Sequence, residues 1–130
     1  MSSPVVLVVD DNPTNLKLIA YLLQAKGYQV RTAIDAESAL EEVRTTRPAL
    51  ILMDLQLPGM DGLELTRKLK SAPETSDIVI IAVTAYAMKG DEERARAAGC
   101  DGYVPKPVDT RALPRIVAQH LGLAEDPPKP

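Results

Sequence analysis

The segment "ALILMDLQLPGMDG", residues 49–62, carries the strongest fold information in this chain. Its first five residues, 49–53, are all apolar, and Asp54 follows them directly. An apolar run without polar alternation predicts a strand that is buried on both faces, as in parallel sheets covered by helices. A carboxylate beside such a strand is unfavourable unless a partner compensates its charge, so Asp54 indicates a functional site.

The rest of the chain alternates similar strands with amphipathic helices. Strands are predicted at 5–9, 28–33, 49–53, 78–83 and 102–104. Helices are predicted from Pro13, behind an Asn12 cap, to Gly27; from an Asp35 cap to before Pro48; after Asp61 to before Pro73; from near Asp91 to Gly99; and from near Pro114 onward. This alternation predicts an α/β fold of the (βα)5 doubly wound, flavodoxin-like type, with a five-stranded parallel sheet in the order 2-1-3-4-5.

Length and composition narrow the classes of function. The 130 residues suit one domain at 4–121, followed by a polar, proline-rich tail or linker stub at 122–130. A net charge of −3 without a basic cluster argues against nucleic-acid binding, and a single cysteine excludes an internal disulfide. The opening "MSSPVVLVVDD" lacks the basic start of a signal peptide and the apolar length of a membrane span. We therefore expect a cytoplasmic protein that binds neither membrane nor nucleic acid.

Two further aspartates, Asp10 and Asp11, follow the first predicted strand as Asp54 follows the third. In a sheet of this order the chain reverses between strands one and three, and ligands bind there, outside the carboxyl ends of the strands. Crowded carboxylates repel one another unless a cation compensates them, and hard oxygen ligands favour Mg²⁺, with Mn²⁺ as an alternative. A plainer interpretation stays open, in which Asp11 helps to cap the first helix and Asp10 is a solvated strand end.

The fourth and fifth predicted strands end near Thr84 and Lys106, beside the same crevice. A threonine hydroxyl can donate a hydrogen bond to a phosphoryl oxygen, and a lysine ammonium can neutralise it. Each residue alone is ordinary at the end of a strand. Together with the aspartates they supply a nucleophile, metal ligands, a donor and a cation, which are the parts needed for phosphoryl transfer.

In these residues the sequence resembles the receiver domains of two-component response regulators, over residues 4–121. The matching segments are "VDD" at 9–11, "MDLQLPGMDG" at 53–62, "VTA" at 83–85 and "KP" at 106–107. The segment "AYAMKGDEERARAAGCDGYVPKP" at 85–107 is most similar to the DivK-like single-domain receivers, and it also resembles receiver modules of hybrid kinases. The order and spacing of these segments are jointly specific, although each fragment alone is weak.

The resemblance implies a role for each site residue. Asp54 would accept a phosphoryl group from the phosphohistidine of a histidine kinase or a histidine phosphotransferase. Asp10, Asp11, Asp54 and the backbone carbonyl of Gln56 would hold Mg²⁺. Thr84 and Lys106 would contact the phosphoryl oxygens, Tyr103 would be the switch aromatic, and the Lys106–Pro107 peptide would be cis. The phosphorylated protein would then bind a downstream protein through the face made by the fourth helix, the fifth strand and the fifth helix.

Other functions remain as alternatives. The chain can be a receiver module cut from a hybrid histidine kinase or from a longer response regulator. A magnesium-dependent aspartyl phosphohydrolase is a more remote alternative, because that class places its nucleophile after strand one in an Asp-x-Asp pattern. A flavodoxin lacks support because two carboxylates open the loop that would hold its phosphate, and a receiver that never takes phosphate conflicts with the intact Asp54, Thr84 and Lys106 set. His120 and Cys100 are expected to be packing residues rather than members of a triad or zinc site.

Overall fold

The computed structural model describes residues 4–57, 62–84, 90–106 and 108–122, and its strands form a single parallel sheet. The order is β2-β1-β3-β4-β5, which confirms the predicted fold class and topology. Each strand begins and ends within one residue of its predicted bounds. The strands are β1 (Val5–Val9), β2 (Gln29–Ala33), β3 (Leu50–Asp54), β4 (Val79–Thr84) and β5 (Gly102–Pro105).

The helices cover both faces of this sheet. They are α1 (Pro13–Gln24), α2 (Ala36–Thr46), α3 (Gly62–Ser71), α4 (Asp91–Ala98) and α5 (Leu113–His120). Helices α1 and α5 pack on one face, where Leu16 and Val117 join the side chains of Leu50 and Leu52. Helices α2, α3 and α4 contribute to a second cluster on the other face, so the sheet is covered on both sides.

Local signals in the sequence explain where the helices begin. The Asn12 side chain accepts hydrogen bonds from the backbone N–H groups of Thr14 and Asn15, which caps α1 as predicted. The predicted Asp35 cap of α2 is also present, and it forms a capping box with Ser38. Residues 110–112 form a turn, and α5 begins one residue before Pro114. Asp61, the expected cap of α3, lies outside the described residues.

Strand β3 occupies the centre of the sheet, and each of its five residues is buried. Asp54 is the last residue of this strand rather than the residue after it, and it pairs in register with Val83 of β4. Because the strands are parallel, β1, β3, β4 and β5 all end on the same side of the sheet. We call this side the carboxyl edge, and the side where the strands begin the amino edge.

The amino edge carries a polar network around Lys70 of α3. The Lys70 Nζ lies 2.8 Å from Asp101 Oδ2 and 2.7 Å from the backbone carbonyl of Ile78, with the carbonyl of Ser76 at 3.4 Å. Asp101 Oδ2 also accepts a hydrogen bond of 2.9 Å from the backbone N–H of Ile80. This network joins α3 to the starts of β4 and β5.

Two residues that were expected only to pack lie near the amino edge. Cys100 is buried, and burial raises the pKa of its thiol. His120 is half-buried, with its ring Nδ1 2.9 Å from the carbonyl oxygen of Ile116 and its Nε2 3.3 Å from that of Asp101. Both residues are thus separated from the carboxyl edge by the length of β5.

The outer strands of the sheet, β2 and β5, differ from the apolar inner ones. Three residues of β2 are exposed, and one of them, Arg31, forms a bidentate ion pair with Glu42 of α2. The guanidinium nitrogens lie 2.8 and 3.1 Å from the carboxylate oxygens. Strand β5 ends in the exposed Pro105.

Across the described ranges, we find no helix with the length and apolar character needed to cross a membrane.

Candidate functional site

Three carboxylates meet at the carboxyl edge of the sheet. Asp10 and Asp54 are 2% and 3% exposed at the ends of β1 and β3, whereas Asp11 is exposed to solvent. One oxygen from each of the three lies within 4.8 Å of the others. The site is built this way because β1 and β3 are neighbours and their carboxyl ends are level.

Lys106 provides the positive charge at this cluster. Its Nζ lies 3.2 Å from Asp10 Oδ2 and 3.1 Å from Asp54 Oδ2, so one ammonium bridges two buried carboxylates. The Lys106 backbone N–H donates to the carbonyl oxygen of Thr84 at 2.7 Å, which continues the pairing of β5 with β4 by one residue. Sequence reasoning expected a lysine beside Asp54; the second contact, to Asp10, comes from the structure alone.

Backbone and amide donors also hold the two buried carboxylates. The N–H of Gln56 donates to Asp54 Oδ1 at 2.9 Å, and the N–H of Asn12 donates to Asp10 Oδ1 at 2.9 Å. The Asn15 side-chain amide lies 3.5 Å from Asp10 Oδ2. Sequence reasoning missed Asn12 and Asn15 as site residues, although their position in the first turn after Asp10 and Asp11 was a usable signal.

Burial and the neighbouring charges shift the pKa values of Asp54 and Lys106. Burial raises the pKa of the Asp54 carboxyl, the charge of Asp10 adds to this effect, and the hydrogen bonds from Gln56 and Lys106 oppose it without cancelling it. Burial works to lower the pKa of Lys106, but the hydrogen bonds and negative charges of Asp54 and Asp10 outweigh burial, so this pKa is raised. Lys106 is therefore held in its charged form, while Asp54 is only partly compensated.

The donor set fits a hard divalent cation. The three carboxylates face one ammonium, so the cluster keeps an excess of negative charge. Its available ligands are carboxylate oxygens, which Mg²⁺ prefers, and the exposed Asp11 leaves room for the waters that Mg²⁺ retains. The chemistry of these residues therefore agrees with the predicted ion.

Thr84 and Tyr103 lie on neighbouring strands beside this cluster. Thr84 is the last residue of β4, 2% exposed, and pairs in register with Pro105; Tyr103 pairs with Ala82. Ala82 and Tyr103 pack in the cluster beneath α2, α3 and α4, and strand alternation places Thr84 on that same face. Pro107 lies outside the described residues, so the predicted cis peptide before it has no structural description, and the same holds for 123–130 of the expected tail.

The sequence of this chain is similar to those of known proteins over most of its length. A family model described as the response regulator receiver domain matches residues 6–118. The polar-differentiation response regulator DivK of Brucella anthropi is 45% identical over 117 residues, which are 90% of this chain and 95% of that protein. The similarity therefore spans nearly the full length of the relative.

Solved structures of receiver domains share the fold of this chain. The receiver domain of a sensor histidine kinase from Pseudomonas aeruginosa PAO1, crystallised with a magnesium ion coordinated in its active site cleft, is 35% identical with a TM-score of 0.84. That match covers 92% of this chain and 98% of the other. A CheY-like receiver domain protein from Methanospirillum hungatei JF-1 is 31% identical with a TM-score of 0.86, over 93% of this chain and 95% of the other.

Proposed function

The chain belongs to the response regulator receiver domain family, and we propose on this basis that Asp54 is the residue that accepts the phosphoryl group. Receiver domains of this type are phosphoacceptor modules of two-component signalling rather than enzymes in the usual sense. The observation that carries the proposal for Asp54 is the bridge made by Lys106 between two buried carboxylates, at 3.1 and 3.2 Å. Such a cation neutralises charge where phosphoryl oxygens would arrive.

The transfer of the phosphoryl group to Asp54 forms one bond and breaks one bond. A carboxylate oxygen of Asp54 attacks the phosphorus of a phosphohistidine and forms a new O–P bond. The N–P bond breaks, its electron pair stays on the imidazole nitrogen, and a proton from solvent leaves the donor histidine neutral. The product on Asp54 is an acyl phosphate.

Residues at the carboxyl ends of four strands, β1, β3, β4 and β5, would support this step. Asp10, Asp11, Asp54 and the backbone carbonyl of Gln56 would hold Mg²⁺, with Mn²⁺ as an alternative, and the bound ion would supply positive charge against the phosphoryl oxygens. The Thr84 hydroxyl would donate to one phosphoryl oxygen, and the Lys106 ammonium would neutralise another.

Labelling of Asp54 tests this proposal directly. Wild-type protein incubated with Mg²⁺ and acetyl phosphate should gain one phosphoryl group by intact-mass measurement, and Asp54→Asn should gain none. Asp101→Asn is the matched control, because it removes a carboxylate that also binds a lysine, at 2.8 Å, but at the amino edge. Labelling that survived in Asp54→Asn, or that was lost equally in Asp101→Asn, would contradict the assignment.

The proposed partners follow from this chemistry. A histidine kinase or histidine phosphotransferase supplies the phosphoryl group in the cytoplasm, and a downstream protein binds the face formed by α4, β5 and α5. A second candidate, a receiver module within a hybrid histidine kinase, uses the same residues and is favoured by the similarity to the Pseudomonas kinase receiver. Residues 4–121 would form the receiver unit in both cases, and the full reading frame distinguishes them.

Tyr103 would carry the signal from the site to that face. Thr84 would move toward the phosphoryl group, and Tyr103, on the same face of the neighbouring strand, would move into the space that Thr84 leaves. Binding of beryllofluoride, which resembles a phosphoryl group, should shift the NMR signals of the Tyr103 ring in the wild type. Thr84→Ala should still bind beryllofluoride but lose this shift, whereas Thr32→Ala, on the outer strand β2, should keep it. An equal shift in Thr84→Ala would disprove the coupling.

A further inference from the structure

Gly62, the first residue of α3, touches the backbone of the proposed phosphoacceptor. Its N–H donates to the Leu55 carbonyl oxygen at 3.2 Å. A Cβ added to Gly62 would lie 2.5 Å from the Asp54 carbonyl oxygen and 2.8 Å from the Leu55 Cα, whereas real Cβ contacts essentially never fall below 3.0 Å. The missing side chain thus allows α3 to begin in direct contact with the end of β3.

Thr66 holds this turn of α3 from the side of the core. Its side chain is fully buried, and its Oγ1 donates to the Gly62 carbonyl oxygen at 2.7 Å. The Cys100 thiol lies behind it, 3.8 Å from the same hydroxyl. The turn that contacts Asp54 is therefore buried at Gly62 and Thr66 and carries one side-chain hydrogen bond in addition to its packing.

We propose that Gly62 and Thr66 are positioning residues that together place the Gln56 backbone at the Asp54 carboxylate. Gln56 lies in the segment whose two ends, Leu55 and Gly62, are joined by a hydrogen bond. Its N–H holds Asp54 Oδ1 at 2.9 Å, and its carbonyl is a proposed metal ligand. We call this pair the Gly62–Thr66 clamp; its role in phosphorylation rests on the proposed function of Asp54.

The packing around the clamp decides what a side chain at position 62 would displace. The α3 side of the contact is held by Leu65 and Thr66, each 0% exposed, and the β3 side is the fully buried central strand. Gln56, by contrast, is exposed. Leu55 is held by its own hydrogen bond to the Val83 carbonyl oxygen, so Gln56 is the residue beside the contact that can yield, and we expect its N–H to move away from Asp54.

Gly62→Ala is the test, with Gly27→Ala as the matched control. Gly27 has a φ of +95° but no atom within 4 Å of an added Cβ, so its replacement strains the backbone far from the site. Gly62→Ala should slow the labelling of Asp54 by acetyl phosphate by roughly 10- to 100-fold, because misplacement of about 1 Å can cost 100-fold in rate. It should also speed hydrogen exchange of the Gln56 amide in metal-free protein. Gly27→Ala should lower stability and leave both quantities unchanged.

The outcomes separate positioning from a loss of structure. Alkylation of Cys100, the single cysteine, reports whether α3 has separated from the sheet, and we expect its rate to stay at the wild-type value in Gly62→Ala. Unchanged labelling and unchanged Gln56 exchange in Gly62→Ala would overturn the proposal.

A second pair of variants keeps the test decisive if Gly62→Ala does not fold. Thr66→Val should speed Gln56 exchange several-fold, and Thr66→Ser, which keeps the hydroxyl, should restore it; equal exchange in both variants would overturn the clamp. If wild-type protein is never labelled on Asp54, the proposed function fails. Gln56 exchange in metal-free protein then still decides whether the clamp exists.

Discussion

The two edges of the sheet each hold one lysine ammonium against an aspartate, but with different charge balance. At the amino edge, Lys70 meets one carboxylate, that of Asp101, and two backbone carbonyls, so the charges cancel. At the carboxyl edge, Lys106 meets two buried carboxylates, with the third carboxylate of Asp11 close by. The first arrangement is complete by itself, whereas the second retains negative charge.

This difference in charge balance gives a criterion that distinguishes a structural ion pair from a functional one. Ion-pair distances of 2.8 to 3.2 Å are similar at both edges and do not distinguish them. The number of carboxylates for each ammonium distinguishes the two edges. A cluster with excess negative charge is stabilised when it binds a further cation, whereas a balanced ion pair is not. Substitutions at the two edges should therefore affect different measured quantities.

Lys106→Met should have the largest effect, on phosphorylation. The variant removes the cation that faces the arriving phosphoryl group, and loss of one such group lowers rates by roughly 100- to 1,000-fold. The measurement is the rate of Asp54 labelling by acetyl phosphate at saturating Mg²⁺. A decrease of less than about tenfold would place the important charge elsewhere.

Lys70→Met should affect stability and leave phosphorylation unchanged. It leaves the Ile78 carbonyl and the Asp101 carboxylate without their shared donor, which should lower the free energy of unfolding in urea by about 1–2 kcal/mol. Lys68→Met, an exposed lysine on the same helix, is the control and should change it by less than about 0.5 kcal/mol. A loss of labelling in Lys70→Met would remove the distinction between the two edges.

Asp11→Asn should weaken Mg²⁺ binding at the carboxyl edge. One anionic ligand fewer should reduce the affinity by about tenfold, which corresponds to about 1.4 kcal/mol in titration calorimetry. Asp77→Asn removes one exposed carboxylate elsewhere and should leave the affinity unchanged. Equal affinities for wild type and Asp11→Asn would exclude Asp11 as a ligand.

Asp54→Asn should raise stability in metal-free protein at neutral pH. Because burial raises the pKa of Asp54 in the folded state, folded protein keeps a proton that unfolded protein releases above the ordinary value of 3.8. Wild-type stability therefore falls as the pH rises from 3.8 to the folded-state pKa, and it then stays lower. The asparagine variant avoids this loss. Urea unfolding in EDTA should show a gain at pH 7 that shrinks toward acid pH, and a less stable variant at pH 7 would contradict the charge imbalance.

The strands and the main site residues were predictable because they follow simple patterns. Runs such as Val5–Val9 are too short and too uniformly apolar for surface helices, and a parallel sheet brings their carboxyl ends together. Asp10, Asp54 and Lys106 follow such runs, so sequence position alone predicted that they meet. One-residue differences remained at strand ends, as with Asp54, because hydrogen bonding rather than residue type decides where a strand stops.

Other features have no pattern that a single sequence can show. Lys70 and Lys68 look equivalent along α3, and only the starts of β4 and β5 decide that Lys70 finds acceptors. The contact of Gly62 with Asp54 is likewise a distance between backbone atoms, to which residue type contributes only a missing side chain. The sharing of Lys106 by Asp10 and Asp54 depends on side-chain conformation in the folded state.

The side chains of the two outer strands affect the tendency of the protein to aggregate. An outer strand with free N–H and C=O groups can recruit a strand from a second molecule and so template aggregation. Here β2 is covered in charged and polar side chains, with Arg31 held by Glu42, and β5 ends at Pro105, which has no N–H to offer. Pairing of the sheet of one molecule with that of the next is therefore disfavoured at both outer strands.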